Sequence, residues 1–172
     1  CNIDIELFLG AEVFYLPNLV SLIDIPFVTL GDGKFMLIEF SPNIYPQGYE
    51  NQFYELQING ITPIVAHPER YRFIQNDIKI IEDWLDRGYL IQVDAGSLLG
   101  CFGDLTKKTS EKLIDYSFVH FIGSDAHNDK RRNFCLKNAY DIVSNRISIK
   151  FVNYLIGNSL KILQSKDIDN FN

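Results

Sequence analysis

Histidine is scarce in this chain, with three in 172 residues, beside one tryptophan, one methionine and three cysteines. The cysteines Cys1, Cys101 and Cys135 are odd in number and far apart. They exclude a dense disulfide framework and fit a reducing compartment, the cytoplasm. Long hydrophobic runs are missing too. The nearest, LFLGAEVFYLPNLVSLIDIPFV, is interrupted by Glu12, Pro17, Asn18 and Asp24, so no membrane span is expected. The first residues lack the charged region of a secretory leader. Positive charge is in deficit: 16 Lys and Arg against 22 Asp and Glu leave a net charge of -6. Only KKTSEK and DKRR are locally basic, too little for a nucleic-acid-binding stripe. There is no phosphate-binding P-loop and no Cys-x5-Arg loop of the cysteine phosphatases. The three glycines of GSLLGCFG (96–103) follow a late strand instead of opening a dinucleotide-binding unit.

What is present is an ordinary globular composition, 47% apolar and 13% aromatic, on a length that suits one domain over 1–172. The chain opens at Cys1 on CNIDIELFLGAEVF, which reads like the interior of a domain, so an upstream segment is expected. Strands and helices then alternate. Strands are expected at 3–14, 35–40, 62–67, 89–95 and 118–125. Helices are expected over LPNLVSLI (16–23), 49–60, 76–88, 104–117, 134–145 and 147–164. Gly60 and Gly88 read as helix stops, and Asn76 as a helix start. Alternation with short apolar strands predicts an α/β protein with a parallel sheet or barrel. Such folds gather ligands at the C-terminal ends of their strands.

At those ends stand Glu12, Glu39, His67, and Asp125 with His127. Taken singly, each has a bland reading. Glu12 reads as an edge carboxylate facing water, His67 as a satisfied core histidine, Asp125 as a helix cap and His127 as a loop residue. Glu39 resists this, because a carboxylate within a buried strand must be paired or metal-bound. Together they form a donor set of carboxylates and imidazoles suited to zinc, manganese or iron. Arg70 and Arg132 follow two of the strand ends and offer planar, bidentate donors to a phosphate. The combination predicts a metal-assisted phosphoester hydrolase. Cys101 and Cys135 read as space-filling, and His120, inside FVHFI, as structural.

The segments IVAHPERY, QVDAGSLLGCFG and HFIGSDAHN with Arg132, together with GAEVF, FMLIEF and NYLIGNSLKIL, resemble the bacterial PHP-superfamily tyrosine-protein phosphatases of capsule and exopolysaccharide operons. The resemblance runs along essentially the whole chain. It implies a distorted (β/α)7 barrel of the TIM type and a cluster of two or three metal ions, usually manganese, with iron, zinc or magnesium as alternatives. It implies Glu12, Glu39, His67, Asp125 and His127 as metal ligands, and Arg70 and Arg132 as catalytic residues that hold the phosphate. The implied substrate is phosphotyrosine on the tail of a bacterial tyrosine autokinase that regulates polysaccharide export. The family opens on a His-x-His strand with further Asp and His ligands, and nothing here matches it. The first strand of the barrel is therefore expected to be missing from this chain. Two other readings stand beside this one. One is a PHP hydrolase of a small phosphoester such as histidinol phosphate. The other is a catalytically dead module that binds the kinase tail.

Overall fold

The computed structural model describes residues 4–130 and 132–171. Cys1, the first residue of the expected strand 3–14, and Arg131 of the DKRR run lie outside them. Five strands form one sheet: β1 (Glu12–Phe14), β2 (Phe35–Glu39), β3 (Thr62–Ala66), β4 (Leu90–Asp94) and β5 (Phe121–Gly123). Their order is the order of the chain, and every neighbouring pair is parallel. This is the α/β parallel architecture that the strand–helix alternation predicts.

Parallel neighbours need a crossover; α-helices provide it from β2 to β5, and a loop with a single 3₁₀ turn joins β1 to β2. The helices are α1 (Tyr49–Ile58), α2 (Arg72–Asn76), α3 (Lys79–Asp86), α4 (Ala95–Leu98), α5 (Asp104–Asp115), α6 (Leu136–Arg146) and α7 (Ile149–Leu163). Spacing explains which face each one buries. Helix α1 sinks Tyr49, Phe53 and Leu56, and α7 sinks Phe151, Val152 and Leu155, three or four residues apart. Gly60 and Gly88 end α1 and α3 as expected. Both adopt positive φ, and the N–H groups at and after each glycine bond back to the last turn: Gly60 to Gln57 and Ile61 to Leu56, Gly88 to Leu85 and Tyr89 to Trp84.

The two-residue period of the strands sorts the sheet into two faces. Val13, Met36, Ile38, Val65, Ile91, Val93 and Ile122 point to one side. With Phe40, Phe53, Tyr71 and Trp84 they join the main core. The opposite face carries Phe35, Ile64, Leu90 and Phe121, a smaller cluster that packs against Leu30, Leu37 and Ile162. Alternation and register put Glu12, Glu39 and Asp94 on this second face. Glu39 and Asp94 close their strands there, whereas Glu12 opens β1, level with Leu37.

Several elements differ from expectation. The strand 3–14 shrinks to Glu12–Phe14, and Leu7 and Leu9 before it are 82% and 73% exposed. The sheet gives β1 one hydrogen-bonding neighbour, β2, so residues 4–11 have no second ladder to join. The helix over LPNLVSLI is a single 3₁₀ turn, Leu19–Leu22. The helix expected over 76–88 is α3, which starts only at Lys79 and follows a separate short helix, α2. Asp77 makes the break: its Oδ1 accepts the Lys79 N–H at 3.0 Å, and Asn76 closes α2 instead of opening α3. The last strand shortens to Phe121–Gly123, because the chain leaves the sheet before Asp125, which has φ +45°.

His120 is structural, as expected. Its Nδ1 accepts the Ile91 N–H at 3.1 Å, so Nε2 carries the proton and donates to Asn170 Oδ1 at 3.1 Å. Burial pushes its pKa down to about 4, against the pull of Asn170. The folded state therefore refuses a proton that the unfolded chain accepts below pH 6.5. Stability from this residue is complete above about pH 6.5 and drains away as pH falls towards 4, by about 3 kcal/mol in all. In urea unfolding, H120Q should be less stable than the parent at neutral pH, and the gap should narrow between pH 6.5 and 4.

Candidate metal and phosphate site

His67 leaves the end of β3 with a left-handed backbone, φ +32°, and its N–H is pinned to the Gln92 carbonyl at 2.7 Å. Pro68 follows and starts a short 3₁₀ turn, Pro68–Arg70. The bend turns the imidazole towards β1 and β2. His67 Nε2 lies 3.2 Å from Glu12 Oε1 and 3.3 Å from Glu39 Oε2. Tyr71 backs the ring edge-on at 5.8 Å between centroids. Its hydroxyl donates to the Ala66 carbonyl at 2.6 Å and accepts the Phe40 N–H at 2.9 Å, tying the ends of β2 and β3 together.

One ligand atom each from Glu12, Glu39 and His67 lies within 4.8 Å of the others. Burial of His67 works against its imidazolium. The hydrogen bond to Glu12 and the charges of Glu69 and Glu12 outweigh that burial and the opposing Arg70, and the pKa rises. The imidazole is thus fitted to a cationic partner or a proton. Two carboxylates and one imidazole are the donors that manganese, iron or zinc accept. His67 Nδ1 is buried without a hydrogen-bond partner among the described residues.

Asp125, beyond β5, lies at the centre of a second cluster. Its Oδ2 takes Arg70 Nη1 at 2.9 Å and also pairs with Arg132 Nη2. Burial alone would raise its pKa, but the charges of Arg70 and Arg132 prevail and hold it below the usual carboxylate range. Arg132 is delivered by a closed loop: the N–H groups of His127 and Asn128 both donate to its carbonyl, at 2.8 and 3.0 Å. His127 is on the rim, with a side chain 55% exposed. Its Nδ1 bonds the Asp125 carbonyl at 2.9 Å, which leaves Nε2 as the outward nitrogen. Of the five expected ligands, then, Glu12, Glu39 and His67 converge. Asp125 is engaged by the two expected phosphate-binding arginines, and His127 stays apart.

Three residues that sequence reasoning passed over belong here. Asp94 ends β4 and pairs with Arg70 Nη2. Glu69, completely buried, accepts the Asp94 N–H at 3.0 Å, and burial pushes its carboxyl pKa up. Phe102 lies flat under the Arg70 guanidinium, 4.0 Å from its centroid. The strand-end rule that found Glu39 and His67 also points to Asp94, which QVDAG hid as the last letter of an apolar strand. Glu69 and Phe102 carry no such signal. A pocket of about 250 Å³ opens beside this cluster, with Asp125, Arg132, Phe102, Leu99 and Cys135 in its walls.

Comparison with known proteins decides the lineage of this arrangement. Residues 1–164 match the family model described as capsular polysaccharide synthesis, CpsB/CapC. The chain belongs to the CpsB/CapC family. It is 35% identical over 141 residues to the tyrosine-protein phosphatase YwqE of Bacillus subtilis, covering 82% of this chain and 56% of that protein. It is 38% identical over 142 residues to the putative tyrosine-protein phosphatase CapC of Staphylococcus aureus, covering 81% and 55%. The CpsB phosphatase of Streptococcus pneumoniae is 30% identical over 170 residues, 95% of this chain and 70% of that one. The fold superposes on a crystal structure from a study of YwqE and CpsB, described there as metal-dependent tyrosine phosphatases. The TM-score is 0.88 at 31% identity, over 94% of this chain and 66% of the other. The chain spans just over half the length of YwqE and CapC.

A cation seated between the CpsB/CapC strand ends should stabilise the chain by mass action. Added Mn²⁺ should raise its unfolding temperature, and E39Q or H67N should remove most of that increment while leaving the metal-free unfolding temperature within a few degrees. An equal Mn²⁺ shift in the variants and the parent would refute the donor set.

Proposed function

We propose that this chain carries the phosphoryl-transfer half of a metal-dependent protein-tyrosine phosphatase. The observation that carries the reading is the meeting of Arg70 and Arg132 on Asp125, next to the Glu12–Glu39–His67 cluster at the strand ends. Two guanidinium groups aimed at one anion beside a carboxylate–imidazole cage suit a phosphate ester. Divalent cations, manganese foremost and two or three in number, would be held by Glu12, Glu39 and His67 with Asp125 and His127, and would supply Lewis acidity towards the phosphoryl oxygens and the attacking water. Arg70 and Arg132 bind the equatorial oxygens and follow the charge as it grows in the transition state. Leu99, Phe102 and Cys135 wall the adjoining pocket with apolar and aromatic surface, which suits the ring of a phosphotyrosine better than the polar imidazole-alcohol of histidinol phosphate.

In this reading residues 1–172 form one domain and the five strands are an arc of a distorted (β/α)7 barrel, supported by their sequential parallel order. The substrate in this reading is the phosphorylated tail of a tyrosine autokinase; the description of the family supports a place in capsular polysaccharide synthesis, and the names of its members support a phosphotyrosine. The reaction takes place in the cytoplasm, where Cys101 and Cys135 remain the free thiols that they are here.

The test is hydrolysis of a phosphotyrosine peptide and of histidinol phosphate in the presence of Mn²⁺. The peptide should be turned over and histidinol phosphate should not. R132A should lower kcat/KM by about 10²-fold with Mn²⁺ affinity unchanged, since the lost contact is to the phosphoryl group. A chain that binds the peptide and Mn²⁺ without turnover would replace catalysis with a binding role.

A further inference from the structure

Arg70 is held more elaborately than phosphate contact alone requires. One edge of its guanidinium meets Asp125, a proposed metal ligand, and its face rests on Phe102. Its other edge meets Asp94, which has no part in the proposed donor set. Asp94 is 3% exposed and immobilised from three directions. Its Oδ1 accepts the N–H of Gly96 and, at 3.3 Å, that of Ser97, capping α4. Its Oδ2 takes Arg70, and its own N–H is held by Glu69, the residue next to Arg70 in the chain. The contacts form a closed ring: Arg70 to Asp94 through side chains, Asp94 to Glu69 through the backbone N–H, and Glu69 to Arg70 through the peptide bond. The ring bolts the turn after β3 to the corner after β4. A Cβ on Gly96 would come 3.0 Å from both the Asp94 carboxylate and the Phe102 ring.

A flexible arginine with one free edge can take a phosphoryl oxygen in many poses. An arginine gripped on the opposite edge and on its face can take it in few, and the ordering is complete before substrate binds. We propose that Asp94 is the positioning residue of this site. It holds Nη2 of Arg70 so that Nη1 faces the phosphoryl group once Asp125 is drawn to a cation. Its effect on catalysis rests on the phosphatase reading above, whereas its ordering of Arg70 does not.

D94N separates this role from helix capping, because asparagine is as good a cap as aspartate but offers Arg70 no charge. D94N should therefore leave the unfolding temperature and Mn²⁺ affinity close to those of the parent. It should raise KM for a phosphotyrosine peptide, and the inhibition constant of inorganic phosphate, about tenfold, with a smaller change in kcat. In R70A, which has no guanidinium to place, adding D94N should change KM no further. The Arg70 Nε–H is buried without a hydrogen-bond partner among the described residues and reports the order of the side chain directly. In ¹⁵N spectra it should exchange slowly with solvent in the parent and quickly in D94N.

A parental KM in D94N, a further rise in R70A/D94N over R70A, or equal Nε–H protection in parent and D94N would each overturn the proposal. Should the parent neither hydrolyse the peptide nor bind phosphate, the phosphatase reading falls. The Nε–H measurement still decides whether Asp94 orders Arg70.

Discussion

Five strands that run the same way, in the order in which the chain makes them, govern everything else in this molecule. Parallel pairing sends every strand end to one edge of the sheet, so Glu39 and Asp94 come out on the same edge although their strands lie far apart in sequence. The strands are short, three to five residues, and their ladders leave no freedom of register. With a period of two, Glu12, Glu39 and Asp94 fall on one face while Val13, Ile38 and Val93 fall on the other. A shift of one residue would bury the acids among Phe40, Phe53 and Trp84.

The aromatic core backs this edge. Phe40 lies within 6 Å of the rings of Tyr15, Tyr49, Phe53, Tyr71 and Trp84. Trp84 donates to the Tyr49 hydroxyl at 2.9 Å, so even the polar atoms of the cluster are satisfied. Tyr71 belongs both to this core and to the site, where it holds the carbonyl of Ala66 and the N–H of Phe40. Placement of the candidate site is therefore inherited from close packing behind it.

Much of this was legible in the sequence, and the parts that were not have physical reasons. The parallel α/β class followed from alternation alone. The expectation that ligands gather at strand ends singled out Glu12, Glu39 and His67, which the structure brings together, and Asp125, which it brings to Arg70 and Arg132. Glu69 and Phe102 were illegible because their roles depend on the third dimension. One is a glutamate hidden by the turn around Pro68, and the other an aromatic ring that reaches Arg70 from a different loop. Asp94 was legible in principle but looked like strand. Edges failed where pattern outruns partnership: residues 4–11 read as a strand by hydrophobicity, but a strand is a relation between two segments. The helix 76–88 starts late, at Lys79, because the Asp77 side chain takes the Lys79 N–H.

His67 and Asp125 both hold left-handed backbone at +32° and +45°, a region that side chains with a Cβ occupy at a cost of about 1–2 kcal/mol. Glycine would sit there without strain. Selection for a sturdier protein would accordingly drift both positions towards glycine. On the phosphatase reading proposed above, that drift would make the chain harder to melt and cost it its chemistry. A population of variants sorted only for thermal endurance should lose these two letters early, whereas one sorted for turnover should keep them and mend its stability elsewhere.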